Sequence, residues 1–130
     1  MSMKTSILKL IILGFVLFVA CSKQDTLTPA VDDQKLEQLG KEIQEFAKNK
    51  ACSGGDNCRS MAMGAKICGG PTSYIIYSLS TTDEKKLIEM VNEFTALQKQ
   101  INFKNPNQVG TCDFIVAPKI DCRNGVCTSK

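Results

Sequence analysis

Two stretches of the chain repeat apolar residues with the period of an α-helix. The first covers residues 32–49 and carries Leu36, Leu39, Ile43, Phe46 and Ala47 on one face, with Lys and Glu on the other. The second predicts a helix over about residues 82–102, with Leu87, Met90, Val91, Phe94, Leu97 and Ile101 on its apolar face. Thr81 and Glu84 have the spacing of a capping box at its start. The pattern therefore predicts two amphipathic helices that share one core.

The remaining stretches favour β-strands. Residues 59–67 alternate apolar and polar positions, and residues 73–79 are rich in β-formers, with Gly69-Gly70-Pro71 as the turn between them. Gly64 indicates a bulge or a close backbone approach within the first of these strands. A further strand is predicted at residues 112–118, and Asn124-Gly125 predicts a tight hairpin within residues 121–127.

The order helix, strand, strand, helix, strand, strand predicts an α+β fold. We expect a small antiparallel sheet with both helices on one face, and the sequence shows no internal repeats.

The beginning of the chain has the pattern of an export signal. Lys4 and Lys9 precede an apolar run, Leu10–Ala20, and Cys21 follows directly. A membrane-spanning helix needs about 20 apolar residues, and this run is too short. We interpret residues 1–20 as a signal peptide.

Residues Phe18-Val19-Ala20-Cys21 resemble a bacterial lipobox, although Phe18 stands where that pattern usually has Leu. The resemblance implies that Cys21 becomes the lipid-modified (palmitate-bearing) first residue of the mature protein. Because Ser22 rather than Asp follows it, the resemblance also implies sorting to the outer membrane. Residues 21–31 are then the lipidated cysteine and a polar tether, and residues 32–130 form a single domain. Which face of the outer membrane the domain occupies stays open.

Six cysteines remain after Cys21. An even number in a small exported domain predicts three disulfides, formed by Cys52, Cys58, Cys68, Cys112, Cys122 and Cys127. The sequence does not select one pairing. The Asn-Gly turn places Cys122 opposite Cys127, so these two could bridge each other, or either could reach back to Cys52 or Cys58.

Several classes of function are disfavoured. The chain contains no His, the commonest general base and metal ligand. Its cysteine spacings include no C-x-x-C, so zinc knuckles and thioredoxin-type redox motifs are absent from the sequence. Neither a P-loop nor a dinucleotide fingerprint occurs. Without its two leader lysines the chain is nearly neutral, which does not favour nucleic acid. We therefore expect a non-enzymatic protein without cofactor or metal.

One segment has the features of a binding loop. A disulfide at Cys68 followed by a rigid turn is typical of loops that peptidase inhibitors present, because preorganisation lowers the ordering cost of binding. In this interpretation Lys66 enters a pocket that is specific for basic side chains. The alternative is a structural turn that a disulfide locks. The candidate binding residues are Lys66, Ile67, Gly69, Gly70, Pro71 and Tyr74. Tyr74 and Tyr77 should point to opposite faces of their strand.

The motif Gly-Ala-Lys-x-Cys-Gly-Gly-Pro-x-x-Tyr-x-x-Tyr-Ser at residues 64–78 is followed by Cys-x-Asn-Gly-x-Cys at residues 122–127. Together they resemble a group of small cysteine-rich bacterial lipoproteins with a Cys-Gly-Gly-Pro-x-x-Tyr core. The resemblance implies a place in the cell envelope and no particular activity. We expect a protein-binding envelope lipoprotein whose partners are the membrane, through its lipid, and a secreted peptidase or another envelope protein. The alternative is a structural or accessory lipoprotein with no dedicated ligand.

Overall fold

The computed structural model describes residues 29–130. The predicted signal peptide, Cys21 and most of the predicted tether lie outside the described residues. The described elements are helix α1 (Pro29–Phe46), a 3-10 turn (Gly55–Asn57), strands β1 (Cys58–Met63) and β2 (Ser73–Ser78), helix α2 (Glu84–Lys104), and strands β3 (Ile120–Arg123) and β4 (Val126–Ser129).

The α+β class is confirmed, and the strands form two antiparallel ladders of two strands each. Strand β1 pairs with β2, and β3 pairs with β4 through the predicted Asn124-Gly125 turn. Ala51 forms a bridge to Val126. Beside it, the Cys127 N–H donates to the Lys50 carbonyl and the Cys52 N–H donates to the Gly125 carbonyl. The hairpin β3–β4 is thereby joined to the segment that precedes β1.

The two predicted apolar stripes meet in one core, in which some of their side chains are buried and others partly buried. Helices α1 and α2 pack against each other, and strands β1 and β2 add side chains to the same cluster. Its members are Ile43, Ala47, Met63, Ile75, Tyr77, Leu87, Val91 and Phe94. Each large aliphatic side chain in such a core contributes about 1.5–3 kcal/mol by leaving water. The helices are thus held by their apolar faces, as the sequence period indicates.

The boundaries of the helices differ from the prediction. Helix α1 covers Pro29–Phe46 rather than residues 32–49, so the end of the predicted tether is helical. The capping box at the start of α2 was wrong, because the Asp83 carboxylate accepts the Lys86 N–H at 3.2 Å. An Asp immediately before the first helical residue is among the strongest N-caps. The Thr81 hydroxyl instead donates to the Asn49 carbonyl.

Two strand predictions also need correction. The strand predicted over residues 59–67 ends at Met63, because Gly64 has φ of +82°, which no strand residue adopts. The strand predicted at 112–118 does not form. Phe114 and Val116 are 98% and 85% exposed there. An alternating sequence forms a strand only where another strand and a core face receive it, and here β1–β2 and β3–β4 pair within themselves.

The prediction of three disulfides is confirmed, with the pairs Cys52–Cys122, Cys58–Cys127 and Cys68–Cys112. Cys122 and Cys127 do lie opposite each other in the hairpin, but each reaches back along the chain instead of bridging across. Two disulfides therefore fasten the hairpin β3–β4 to the region around the start of β1. None of the helices described for residues 29–130 is both long and apolar enough to cross a bilayer.

Candidate binding site

The loop that joins β1 to β2, residues 64–72, is called here the Gly-Gly-Pro loop. Its tip is closed by two backbone hydrogen bonds. The Lys66 N–H donates to the Gly70 carbonyl at 2.9 Å, and the Gly69 N–H donates to the Lys66 carbonyl at 3.0 Å. Gly69 and Gly70 have φ of +92° and +82°, a region that glycine adopts at little cost. The two adjacent glycines are what allow the chain to reverse within these few residues.

Three side chains of α2 hold the base of this loop; Thr95, Gln98 and Asn102 are called the polar ladder. The Gly64 N–H donates to the Thr95 hydroxyl at 3.0 Å, and the Ala65 N–H donates to the Gln98 carbonyl oxygen at 2.7 Å. The Asn102 amide donates to the Ala65 carbonyl at 2.8 Å. The backbone N–H and carbonyl groups at Gly64 and Ala65 thus find their hydrogen-bond partners in side chains of a helix rather than in a neighbouring strand.

Sequence reasoning missed the polar ladder. Its members recur at three and four residues, so they lie along one helix face, beside the apolar stripe. That spacing of Thr, Gln and Asn was the available signal.

The backbone approaches helix α2 closely at Gly64, so of the two alternatives that the sequence indicates, a bulge or a close approach, the structure has the close approach. A Cβ at Gly64 would overlap the Thr72 hydroxyl and the Gln98 side-chain oxygen. Thr72 also donates to the Met63 carbonyl at 3.1 Å, so it cannot move away freely. A glycine at this position is therefore required by space as well as by its positive φ.

The loop is fixed on its other side by residues 105–119, called the tail segment, which contain no helix or strand. The disulfide Cys68–Cys112 joins the two. The Lys66 ammonium donates to the Asp113 carbonyl, and the Ile67 side chain packs against Gly110. A cavity of about 460 Å³ lies between them, and its lining includes Ala65, Ile67, Gln98, Asn102, Thr111 and Ile115.

The structure brings most of the predicted binding residues together. Ile67, Gly69 and Gly70 are exposed at the tip, while Lys66 and Pro71 are half-buried. Tyr74 is not part of this group, since it lines a separate cavity with Lys48 and Val126. The opposite orientation of the two tyrosines is confirmed, because Tyr77 lies in the core and is 2% exposed, whereas Tyr74 is half-buried on the other face.

Tyr77 is the described residue with the largest change in acidity. Burial raises its pKa to about 12, and a hydrogen bond of 2.5 Å from its hydroxyl to the Glu84 carboxylate contributes to the same direction. A phenol with this pKa is neutral and acts as a hydrogen-bond donor at physiological pH. The pair ties β2 to the first turn of α2 and lies away from the Gly-Gly-Pro loop.

The sulfur atoms of Cys52, Cys58 and Cys122 all lie within 4.8 Å of one another. They are close because the disulfides Cys52–Cys122 and Cys58–Cys127 lie side by side. Thiolates bind metals, and sulfurs in a disulfide are not thiolates. In the oxidised protein these sulfurs therefore belong to structural disulfides and do not form a metal site.

A second feature near the loop was not expected from the sequence. Four large apolar side chains between residues 103 and 116 are almost entirely exposed: Phe103 at 88%, Val109 at 97%, Phe114 at 98% and Val116 at 85%. They are called the apolar tips.

Comparison with protein-family models, with curated protein sequences and with solved structures finds no match to this chain.

Proposed function

We propose that this chain is a lipid-anchored protein of the bacterial envelope that binds another protein through its Gly-Gly-Pro loop and catalyses no reaction. One observation supports this most directly: the tip of the loop is exposed and is held on both sides. The polar ladder fixes its base and the Cys68–Cys112 disulfide fixes its apex. A loop that is ordered before binding loses little conformational entropy when it meets a partner.

The exposed surface of the loop suits a protein partner. Ile67 is 41% exposed and offers an apolar contact, and the adjacent glycines leave backbone groups accessible. The cavity of about 460 Å³ beside Ile67 is wide enough to receive one side chain of a partner. An apolar anchor next to a receptive cavity is the usual arrangement at the centre of an interface.

Peptidase inhibition is the more specific form of this proposal. In that form Lys66 enters a peptidase pocket for basic side chains, which requires its ammonium to leave the Asp113 carbonyl. That hydrogen bond is exposed to solvent, so water can replace it at small cost. The Lys66 carbonyl, however, accepts the Gly69 N–H within the turn. The geometry therefore favours recognition of the exposed tip over insertion of an extended, substrate-like strand.

A structural or accessory envelope lipoprotein is the second candidate. The Cys68–Cys112 disulfide and the Lys66–Asp113 contact also fix the tail segment, which has no secondary structure of its own to hold it. In that case the loop serves to hold the tail segment in place, and the exposed tip of the loop binds no partner.

Affinity capture distinguishes these candidates. The oxidised chain from Ser22 onward, which retains every described core contact and disulfide, would be immobilised and exposed to envelope and secreted proteins of the producing organism. Ile67→Ser is the test variant, and Ile88→Ser is its matched control because both isoleucines are 41% exposed. We expect one specific protein to be captured by the wild type and by Ile88→Ser, and lost with Ile67→Ser.

A reduced and alkylated sample should also lose the captured protein. Capture that survives both Ile67→Ser and reduction would exclude the loop as the binding site. Capture of nothing, or only of envelope scaffold proteins, by the wild type would leave the accessory role. If the captured protein is a peptidase, inhibition that Lys66→Ala abolishes would establish the more specific form.

A further inference from the structure

The apolar tips lie at one end of the domain, and this end is also where the chain enters it. The first turn of α1 is held to the last turn of α2 by Asp32, which is 5% exposed and accepts from the Lys104 ammonium at 2.6 Å. Asp33 of α1 and residues 104–108 line one shared cavity. The first turn of α1 therefore lies beside the carboxyl end of α2, whose last turn contains Phe103.

The Gly-Gly-Pro loop and the tail segment extend toward the same end. Gly64 contacts Thr95, and Ala65 contacts Gln98 and then Asn102, so the chain follows α2 toward its carboxyl end. Ile67 then meets Gly110, next to Val109, and Lys66 meets Asp113, next to Phe114. Phe103, Val109 and Phe114 are thus grouped around the carboxyl end of α2, and Val116 follows Ile115, which lines one cavity with Gln98 and Asn102 of that helix.

We infer that this end of the domain faces the lipid bilayer, and that the apolar tips enter its interfacial region. The inference rests on the proposed lipid anchor at Cys21. Seven residues lie between Cys21 and Pro29, and the eight steps from one Cα atom to the next span at most about 29 Å in any conformation. An anchor of that length holds the chain-entry end, and with it the apolar tips, near the membrane surface.

The way in which the apolar tips are exposed suits contact with lipid better than contact with a protein. Each side chain protrudes by itself, at 85–98% exposure, so they do not combine into one smooth packed patch. A protein interface needs a complementary shape around each contact, whereas the headgroup and acyl boundary accepts separate Phe and Val side chains without such complementarity. Of the other exposed large apolar residues, Val31 (50%) is in the first turns of α1 and Ile67 (41%) is in the Gly-Gly-Pro loop. Leu79, Ile88 and Val126 are 38–49% exposed and belong to other parts of the chain.

The same structure limits the depth of insertion. The tail segment has no helix or strand to satisfy its backbone N–H and carbonyl groups, and unsatisfied groups are excluded from the hydrocarbon core. The side chains of Phe114 and Val116 can therefore enter the boundary while their backbone stays among the headgroups. A protein that binds the Gly-Gly-Pro loop would then have to approach along the membrane surface.

The chain contains no Trp, so single tryptophans can report on lipid contact. Phe103→Trp and Phe114→Trp are the test variants, and Ile88→Trp is the control on the first turns of α2. Each full chain, produced and processed in a bacterial host, would be reconstituted into vesicles of phosphatidylethanolamine and phosphatidylglycerol. Flotation with the vesicles and the mass of the amino-terminal peptide report on the lipid anchor, and quenching by brominated acyl chains reports on contact of each tryptophan with lipid.

We expect all three variants to float with the vesicles, and brominated lipid to remove emission at positions 103 and 114 but not at position 88. Flotation without quenching at 103 and 114 would overturn the inference and leave the anchor intact. Blue-shifted emission without quenching would also overturn it, because a protein would then cover this end. Failure to float, with an unmodified Cys21, would overturn the proposed anchor and this inference together.

Discussion

Tyr77 shows how burial at one residue couples the fold to pH. Its pKa is about 12 in the folded protein against an ordinary value of 10.0, so the folded state holds the phenol proton more tightly than the unfolded chain does. The stabilisation from this group is therefore fully present below pH 10 and is lost as the pH rises to 12.

Tyr77→Phe tests this coupling. At neutral pH we expect a loss of about 1–2 kcal/mol in the free energy of unfolding, because the hydrogen bond to the Glu84 carboxylate is removed. Between pH 10 and 12 the wild type should lose stability more steeply than the variant, as measured by urea denaturation at each pH. Tyr74→Phe, which removes the other phenol on the opposite strand face and leaves the Tyr77–Glu84 hydrogen bond in place, is the control. Parallel curves of unfolding free energy against pH for wild type and Tyr77→Phe would contradict the raised pKa of Tyr77.

Gly64 is the residue at which the loop depends most on the absence of a side chain. Gly64→Ala would place a Cβ on the Thr72 hydroxyl and would also strain a φ of +82°. We expect a loss of about 2–4 kcal/mol in thermal or chemical denaturation, by overpacking together with backbone strain. Gly54→Ala is the matched control, because a Cβ there meets no atom within 4 Å and its backbone is extended. Equal stability of the two variants would show that Thr72 and α2 move aside.

At the scale of elements, helix α2 has two structural roles, one on each of two faces. Its apolar face fills the core and its polar ladder holds the Gly-Gly-Pro loop. Gln98→Leu keeps much of the side-chain volume and leaves the Ala65 N–H without its acceptor, so we expect a loss of about 1–3 kcal/mol. Amide hydrogen exchange at Ala65 should accelerate. Gln100→Leu, on an exposed position of the same helix, should change neither quantity.

The two helices and the Asn-Gly hairpin could be predicted because each is encoded by its own residues. The apolar stripe of α2 and the turn at Asn124-Gly125 specify local geometry without information from distant parts of the chain. The strand at 112–118 was wrong for the opposite reason. Phe114 and Val116 have the alternation of a strand, but this segment pairs with none of the four described strands, and pairing of strands is a property of the whole fold.

The candidate site was predictable only in part. Gly69, Gly70 and Cys68 mark a loop by composition, and the structure confirms that the loop is tight and bridged by a disulfide. The polar ladder, in contrast, depends on how β1 meets α2. The identity of Cys112 as the partner of Cys68 depends likewise on the path of the tail segment, and six cysteines alone allow many pairings.

At the scale of the whole molecule, the three disulfides differ in their access to solvent. Cys58 and Cys127 are 5% and 2% exposed, whereas Cys68 and Cys112 are both exposed. An attacking thiolate must reach a sulfur atom, so access governs the order of reduction. With limiting dithiothreitol, Cys68–Cys112 should be reduced first, as measured by alkylation and peptide mass. Early alkylation at Cys58 or Cys127 would contradict this order.

That first reduction should have a local effect. It frees the Gly-Gly-Pro loop from the tail segment but leaves the hairpin β3–β4 fastened by the other two disulfides. We expect proteolysis to begin within residues 105–119 while the helical circular dichroism stays unchanged.

The connectivity also has a consequence for biogenesis. Cys52 and Cys58 find their partners 70 and 69 residues further along the chain. During synthesis from the amino end, these two cysteines are available to each other long before Cys122 and Cys127 exist. Oxidation in order of appearance would therefore trap a bridge that the native protein does not contain. Correct maturation requires either that oxidation waits for the complete chain or that an isomerase reshuffles the early bridge, a step that takes seconds to hours.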